Sequence, residues 1–289
     1  MSSLASSSLP DFVLSISCPD RKGVVHRVSG LLLEHDGNII DAQQFGDDQT
    51  GRFFLRVHFS LARDEIEQVQ TKMVAAAQEF GMRWQIYRGA HRAKLLVLVS
   101  KQGHCLNDLL FRVHSGQLNA DVAAVVSNHL DFEKLASSHN VPFHYLPVTP
   151  ASKTAQEQAI LDLIQELDID LVVLARYMQI LSPQLCEALA ERAINIHHSF
   201  LPSFKGAKPY NQAHERGVKL IGATAHYVTA DLDEGPIIEQ DIERVDHAMS
   251  AHDFARVGSD IESLVLARAV KAHIEHRILL NGHRTVVFR

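Results

Sequence analysis

The spacing of hydrophobic positions changes its rhythm near residue 90. Before that point the elements follow the order strand (FVLSISC, 12–18), helix (22–36), strand (NIIDAQQF, 38–45), strand (RFFLRVHFSL, 52–61), helix (64–80) and strand (MRWQIYR, 82–88). Val24, Val25, Val28, Leu31 and Leu32 recur at helical spacing, while Phe53, Leu55, Val57 and Phe59 alternate as one face of a half-buried strand. This βαββαβ order predicts a ferredoxin-like layer, a small sheet with both helices on one face.

After RGAHRA (88–93) the rhythm becomes strand and helix in turn. The strands LLVLVS (95–100), DVAAVVSN (121–128), FHYLPV (143–148), IDLVVLA (169–175) and AINIHHS (193–199) are separated by helices over 105–114, 132–138, 156–167 and 183–189. Continuous apolar strands between helices predict a mostly parallel, Rossmann-like sheet covered on both faces. The expected α/β organisation is a disordered tail (1–9), a first domain (10–88), a linker (89–93) and a second domain (94–289).

Composition narrows the function classes. With 289 residues the chain has room for two domains of about 100 to 200 residues each. Its net charge of -6 and the lack of any basic block argue against nucleic acid or an anionic membrane as a partner. Cys18, Cys105 and Cys186 are widely spaced and odd in number, which fits neither a disulfide framework nor a CxxC motif, so a reducing cytoplasm is expected. The Ser-rich start MSSLASSSLP lacks the basic and apolar regions of a secretion signal, and no apolar run approaches the length of a membrane span.

The first turn of the second domain reads VSKQGHCLND, with one glycine, so the G-x-G-x-x-G of dinucleotide sites is missing, as is a P-loop. No nucleophile elbow or H-E-x-x-H motif occurs, His247, His252, His273 and His276 read as surface residues, and no metal site is expected.

The stretch AINIHHSFLPSF differs. Strand geometry puts Asn195 and His197 on one face and Ile196 and His198 on the other, so an amide and an imidazole stand side by side at a strand's carboxyl end. Two such donors can stabilise an oxygen that becomes negative when a carbonyl is attacked, which points to acyl-group chemistry. A histidine in that role needs a carboxylate to orient it. The turn in HYVTADLDEGPIIEQ supplies Asp231, Asp233 and Glu234, although acidic turns between strands are most often only solvated. His198 is left with packing or a supporting contact.

NIHHSFLPSF, DLDEGPII and the upstream ARYMQILS occur in an order that resembles the folate-dependent formyltransferase fold, over about residues 94–244. The resemblance carries the catalytic Asn, His and Asp onto Asn195, His197 and Asp233. It assigns folate binding to Arg176, Tyr177, Met178, Ile180 and Leu181 in one segment and to Val228, Thr229 and Asp231 in a closing loop. Lys205 and Lys208 read as solvated loop residues rather than partners of the folate tail.

In the first domain, SCPDRKGVVHRVSGLL followed by NIIDAQQ resembles an ACT domain. The resemblance implies an amino-acid effector at Asp20, Gly23 and Asn38, on a helix N-terminus that could equally be only capped, and assembly into a homo-oligomer. Three features bear on the reaction. SKQGHCLND is not the Gly- and Ser-rich loop of glycinamide ribonucleotide formyltransferases. Chain length after a single final helix leaves no room for the RNA-binding domain of methionyl-tRNA formyltransferases, which SFKGAKPYNQAH otherwise resembles. An ACT domain before this fold is the arrangement of the formyltetrahydrofolate deformylase family.

That family likeness implies hydrolysis of 10-formyltetrahydrofolate to tetrahydrofolate and formate. It also implies formate supply to purine synthesis and no tightly bound cofactor. Transfer of the formyl group to an amine acceptor is the alternative.

Overall fold

A computed structural model describes residues 9–199 and 209–289. The tail expected at 1–9 and the loop lysines Lys205 and Lys208 lie outside these residues, apart from Leu9. The chain forms two compact units, Met1–His91 with His276–Arg289, and Arg92–Glu275.

Unit 1 has the expected order: β1 (Asp11–Pro19), α1 (Val24–Glu34), β2 (Gly37–Asp47), β3 (Arg52–Leu61), α2 (Ile66–Phe80) and β4 (Arg83–Arg88). The antiparallel sheet runs β2-β3-β1-β4. Phe53, Leu55, Val57 and Phe59 of β3 join Val28, Leu32, Val69 and Met73 of the helices in one core, as a two-residue period on β3 requires.

The boundary at the carboxyl end differs from expectation. Residues 276–289 belong to unit 1 and not to the second domain. They form a hairpin, β12 (Ile278–Asn281) and β13 (Arg284–Val287), whose Leu279 and the following Phe288 bury against Phe54. Phe54 alternates with the core residues of β3, so the hairpin covers the sheet face that the helices leave open. Polar contacts hold it there. Asn281 Nδ2 donates to Asp47 Oδ2 at 2.6 Å, Arg284 Nη2 donates to the same oxygen at 3.0 Å, and the His276 ring stacks on Tyr87.

Unit 2 contains β5 (Ala93–Val99), α3 (His104–His114), β6 (Ala120–Ser127), α4 (Glu133–Ser138), β7 (Phe143–Tyr145), α5 (Lys153–Glu166), β8 (Leu171–Leu174) and α6 (Pro183–Ala188). It continues with β9 (Ala193–His197), α7 (Pro209–Glu215), β10 (Leu220–Tyr227), β11 (Ile237–Arg244) and α8 (Ala251–Ile274). The sheet order is β11-β10-β9-β8-β5-β6-β7. Strands β5 to β9 are parallel, and β10 and β11 continue the sheet antiparallel. Leu96 and Leu98 pack towards α5 and α6, and the alternate Leu95, Val97 and Val99 are just as buried, so both faces are covered. The chain passes from β5 to β6 and β7 on one side and returns to β8 on the other. That reversal opens a crevice at the strands' carboxyl ends, the usual ligand position of such sheets.

Candidate active site

At those ends a cavity of about 330 Å³ runs along the carboxyl ends of β8 and β9 and the β10–β11 turn. Its lining includes Asn195, His197 and Asp233 and all eight residues expected to hold folate. Its apolar wall reaches the surface, with Met178 59%, Ile180 61% and Leu232 57% exposed. Large apolar side chains gathered in the open around a cleft mark a surface that a flat, apolar ligand can cover.

The polar end of the cavity is built by strand register. Antiparallel pairing of β9 with β10 sets Asn195 opposite His226 and His197 opposite Thr224. Asn195 Nδ2 lies 3.3 Å from His226 Nε2, and His226 Nδ1 donates to the Tyr227 carbonyl at 2.9 Å. A register shift between Ala225 and His226 in the β10–β11 ladder turns this part of the strand, as bulges beside functional sites commonly do.

Of the three acids in the turn, Asp231 and Asp233 line the cavity, and Asp233 is the one that meets the imidazoles. Its carboxylate sits 3.2 Å from His197 Nδ1 and 3.6 Å from His226 Nε2. Asp233 holds φ 58, a left-handed conformation uncommon for a residue with a side chain. Gly235 makes the turn possible, because a Cβ there would collide with the Tyr227 carbonyl. Burial acts to raise the Asp233 pKa, but hydrogen bonds from His197 and His226 and their charges outweigh it and hold the carboxyl well below the usual range.

His198 departs from the opposite-face expectation. The strand ends at His197, so alternation no longer governs the next residue, and the His198 ring stacks on His197 with centroids 4.8 Å apart. Desolvation, then the charges of Arg176 and His197, push its pKa down to about 4, so it is neutral at physiological pH. His197 Nε2 lies 3.1 Å from Ser199 Oγ.

Sequence reasoning missed His226 and a buried cluster behind the cavity. Glu262 of α8 is held by His104 Nε2 at 2.6 Å, by the Tyr210 hydroxyl at 2.5 Å and by Arg176 Nε at 3.4 Å. Gly258, one turn earlier, leaves the space that Tyr210 fills. His104, Cys105 and Glu262 stand close enough to share an ion, but the carboxylate is already saturated with donors and an arginine cation lies beside it. His226 was legible from the two-residue period that pairs it with Thr224 in LIGATAHY. The cluster had no local signal.

The expected effector residues do not form one site within the chain. Gly23, at φ 98, caps α1 beside Asp20. Asn38 pairs with Ser60 of β3, whereas Pro19 pairs with Arg52. Eight residues of β3 separate those levels, about 26 Å at about 3.3 Å per residue.

Residues 93–270 match the formyl transferase family and residues 12–73 the ACT domain family. A glycinamide ribonucleotide transformylase structure from Symbiobacterium toebii aligns with 32% identity and TM-score 0.65, covering 70% of this chain and 97% of its own. Formyltetrahydrofolate deformylase of Bacillus subtilis is 48% identical over 95% of this chain and 93% of its own length. The crystal structure of the Burkholderia mallei enzyme of that name covers 97% of this chain and 100% of its own, with 52% identity and TM-score 0.93.

The chain belongs to the formyltetrahydrofolate deformylase family. Membership of the deformylases accounts for both units at once, where the transformylase match leaves nearly a third of the chain without a counterpart. Among the described residues no helix is long and apolar enough to cross a membrane.

Proposed function

We propose that Asn195, His197 and Asp233 carry the hydrolysis of 10-formyltetrahydrofolate to tetrahydrofolate and formate, the activity of this family of hydrolases. The observation that carries the assignment is a carboxylate set between two imidazoles, beside an amide, at the polar end of an apolar cleft. The pterin lies along the Arg176 to Leu181 segment, and Val228, Thr229 and Asp231 close over it.

Asp233 positions a water and takes its proton as the oxygen bonds to the formyl carbon. Asn195 and protonated His197 stabilise the tetrahedral oxyanion, and His197 then protonates the departing folate nitrogen. The two transfers are coupled. As His197 gives up its proton, one of the two charges that keep Asp233 acidic disappears, and the carboxyl becomes more basic as it takes up the proton from water. His226 holds the other oxygen of the carboxylate.

Transfer to an amine is not favoured, because relatives that match both units bear the deformylase name while the transformylase match stops at 70% of the chain. Formate release from 10-formyltetrahydrofolate with no amine present tests the reaction, and its absence refutes it. Asp233→Asn and His197→Ala are each expected to lower kcat by about a thousandfold or more with folate affinity nearly unchanged. Full activity in either variant overturns the site assignment.

The same reading includes a cytoplasmic enzyme without a tightly bound cofactor, an amino-acid effector on the ACT unit and a homo-oligomer. Supporting assembly, edge strand β2 leaves Ile40 54% and Phe45 46% exposed.

A further inference from the structure

His197 is held at both ring nitrogens. Nδ1 faces Asp233 at 3.2 Å, and Nε2 lies 3.1 Å from Ser199 Oγ. With Nδ1 committed to the carboxylate, the proton that His197 gives up leaves from Nε2. Ser199 therefore stands at the nitrogen where the ring changes state.

Strand geometry alone does not bring Ser199 there. β9 ends at His197, and the next two residues form a bend. A latch from the neighbouring strands returns the chain to the ring. His197 is the register partner of Thr224, and Thr224 is the partner of Gln240, so the three form one row across β9, β10 and β11. Thr224 is fully buried; its hydroxyl donates to the Ser199 carbonyl at 3.0 Å and accepts from Gln240 Nε2 at 2.9 Å. A hydroxyl has one hydrogen to give and lone pairs that receive, and this one uses both capacities. Buried chains satisfied in this way are rigid. Ser199 itself is 8% exposed, and the stacked His198 ring covers one face of the same imidazole.

We propose that Ser199 is a positioning residue for the hydrolysis, its hydroxyl holding the His197 ring at Nε2 in both protonation states while Thr224 and Gln240 hold Ser199 in place. The inference rests on His197 as the proton donor to the folate nitrogen. While the ring is charged, Nε2 carries a hydrogen and Ser199 accepts from it. At 3.1 Å this contact is at the long end of the hydrogen-bond range, so the hydrogen can be shared with the reacting atoms. Once the hydrogen has passed to the departing nitrogen, Nε2 has a lone pair and the hydroxyl turns to donate to it. A carbonyl or an amide N–H could serve only one of these states, whereas a hydroxyl serves both. The ring keeps its plane through turnover, and with it the approach of Nδ1 to Asp233. Displacing a catalytic group by about 1 Å can cost about a hundredfold in rate, which sets the scale of the effect.

The test combines steady-state kinetics on 10-formyltetrahydrofolate with 15N NMR of histidine-labelled protein, the His197 signals being assigned by their loss in His197→Ala. Ser199→Ala is expected to lower kcat by about ten- to a hundredfold with KM within about twofold. Its Nε2 resonance should move toward that of an unbonded imidazole nitrogen, a change that a merely structural role would not produce. Ser199→Thr keeps the hydroxyl and should regain most of kcat and the wild-type Nε2 signal. Thr224→Val removes only the latch and should fall between wild type and Ser199→Ala in both readings. A folded Ser199→Ala with wild-type kcat, or with an unmoved Nε2 resonance, overturns the proposal. If none of the variants folds, the wild type decides: a hydrogen-bonded Nε2 signal supports the proposal and an unbonded one refutes it. A wild type that releases no formate sinks the hydrolysis reading, whereas an active wild type with a fully active Ser199→Ala sinks this inference alone.

Discussion

Glu262 shows how much of the site depends on residues that never meet the reacting atoms. It is about 1% exposed. Burial acts to raise its pKa, yet the His104 hydrogen bond, the Arg176 charge and the Tyr210 hydroxyl outweigh it and lower the value. A carboxyl whose folded pKa lies below its unfolded value adds stability above the unfolded pKa, about 4.3, and loses it as the pH falls through the folded value. Glu262→Gln removes that contribution and leaves a buried arginine without its counter-ion, at a cost of about 3 to 5 kcal/mol. Melting curves of the variant should therefore start lower at pH 7 and fall less steeply below about pH 5 than those of the wild type; parallel Tm–pH curves would contradict this account. Asn195, His197 and Asp233 were legible because motif and strand period mark them locally. Glu262 and Tyr210, and their meeting with Arg176, were not, because that meeting depends on how α8, α7 and the end of β8 pack in three dimensions.

At the scale of elements, hydrophobic rhythm located the strands and helices of both units, since long periodic segments bury one face whatever their neighbours are. The hairpin β12–β13 escaped that reading. Each strand has only four residues, too few for a period, and its apolar partner Phe54 lies more than two hundred residues earlier. His198 escaped for a related reason: alternation holds only while the strand lasts, and β9 stops one residue before it. The hairpin's contribution is testable through Phe288, which is 7% exposed and packs on Phe54. Phe288→Ala should destabilise unit 1 by about 3 to 5 kcal/mol in denaturant titration. A loss below about 1 kcal/mol would show that the hairpin only rests on the sheet, since surface substitutions cost that little.

For the molecule as a whole, the ACT unit and the exposed β2 edge make a joint prediction about regulation and assembly. Light scattering should give a molar mass above that of one chain, and the acceptor-free assay repeated with individual amino acids should show a change in rate with at least one of them. A monomer whose rate no amino acid alters would leave the ACT unit without either expected role. Two units were legible from the change of rhythm near residue 90, but a linear reading could not show that unit 1 takes up residues from both sides of unit 2. That interleaving has a consequence for biogenesis. The first strands to leave the ribosome cannot close over Phe54 or engage Asp47 until residues 276–289 have been made. The unit begun first is completed last, and until residues 276–289 are in place one face of the N-terminal sheet lacks its cover, an interval in which exposed apolar surface invites aggregation.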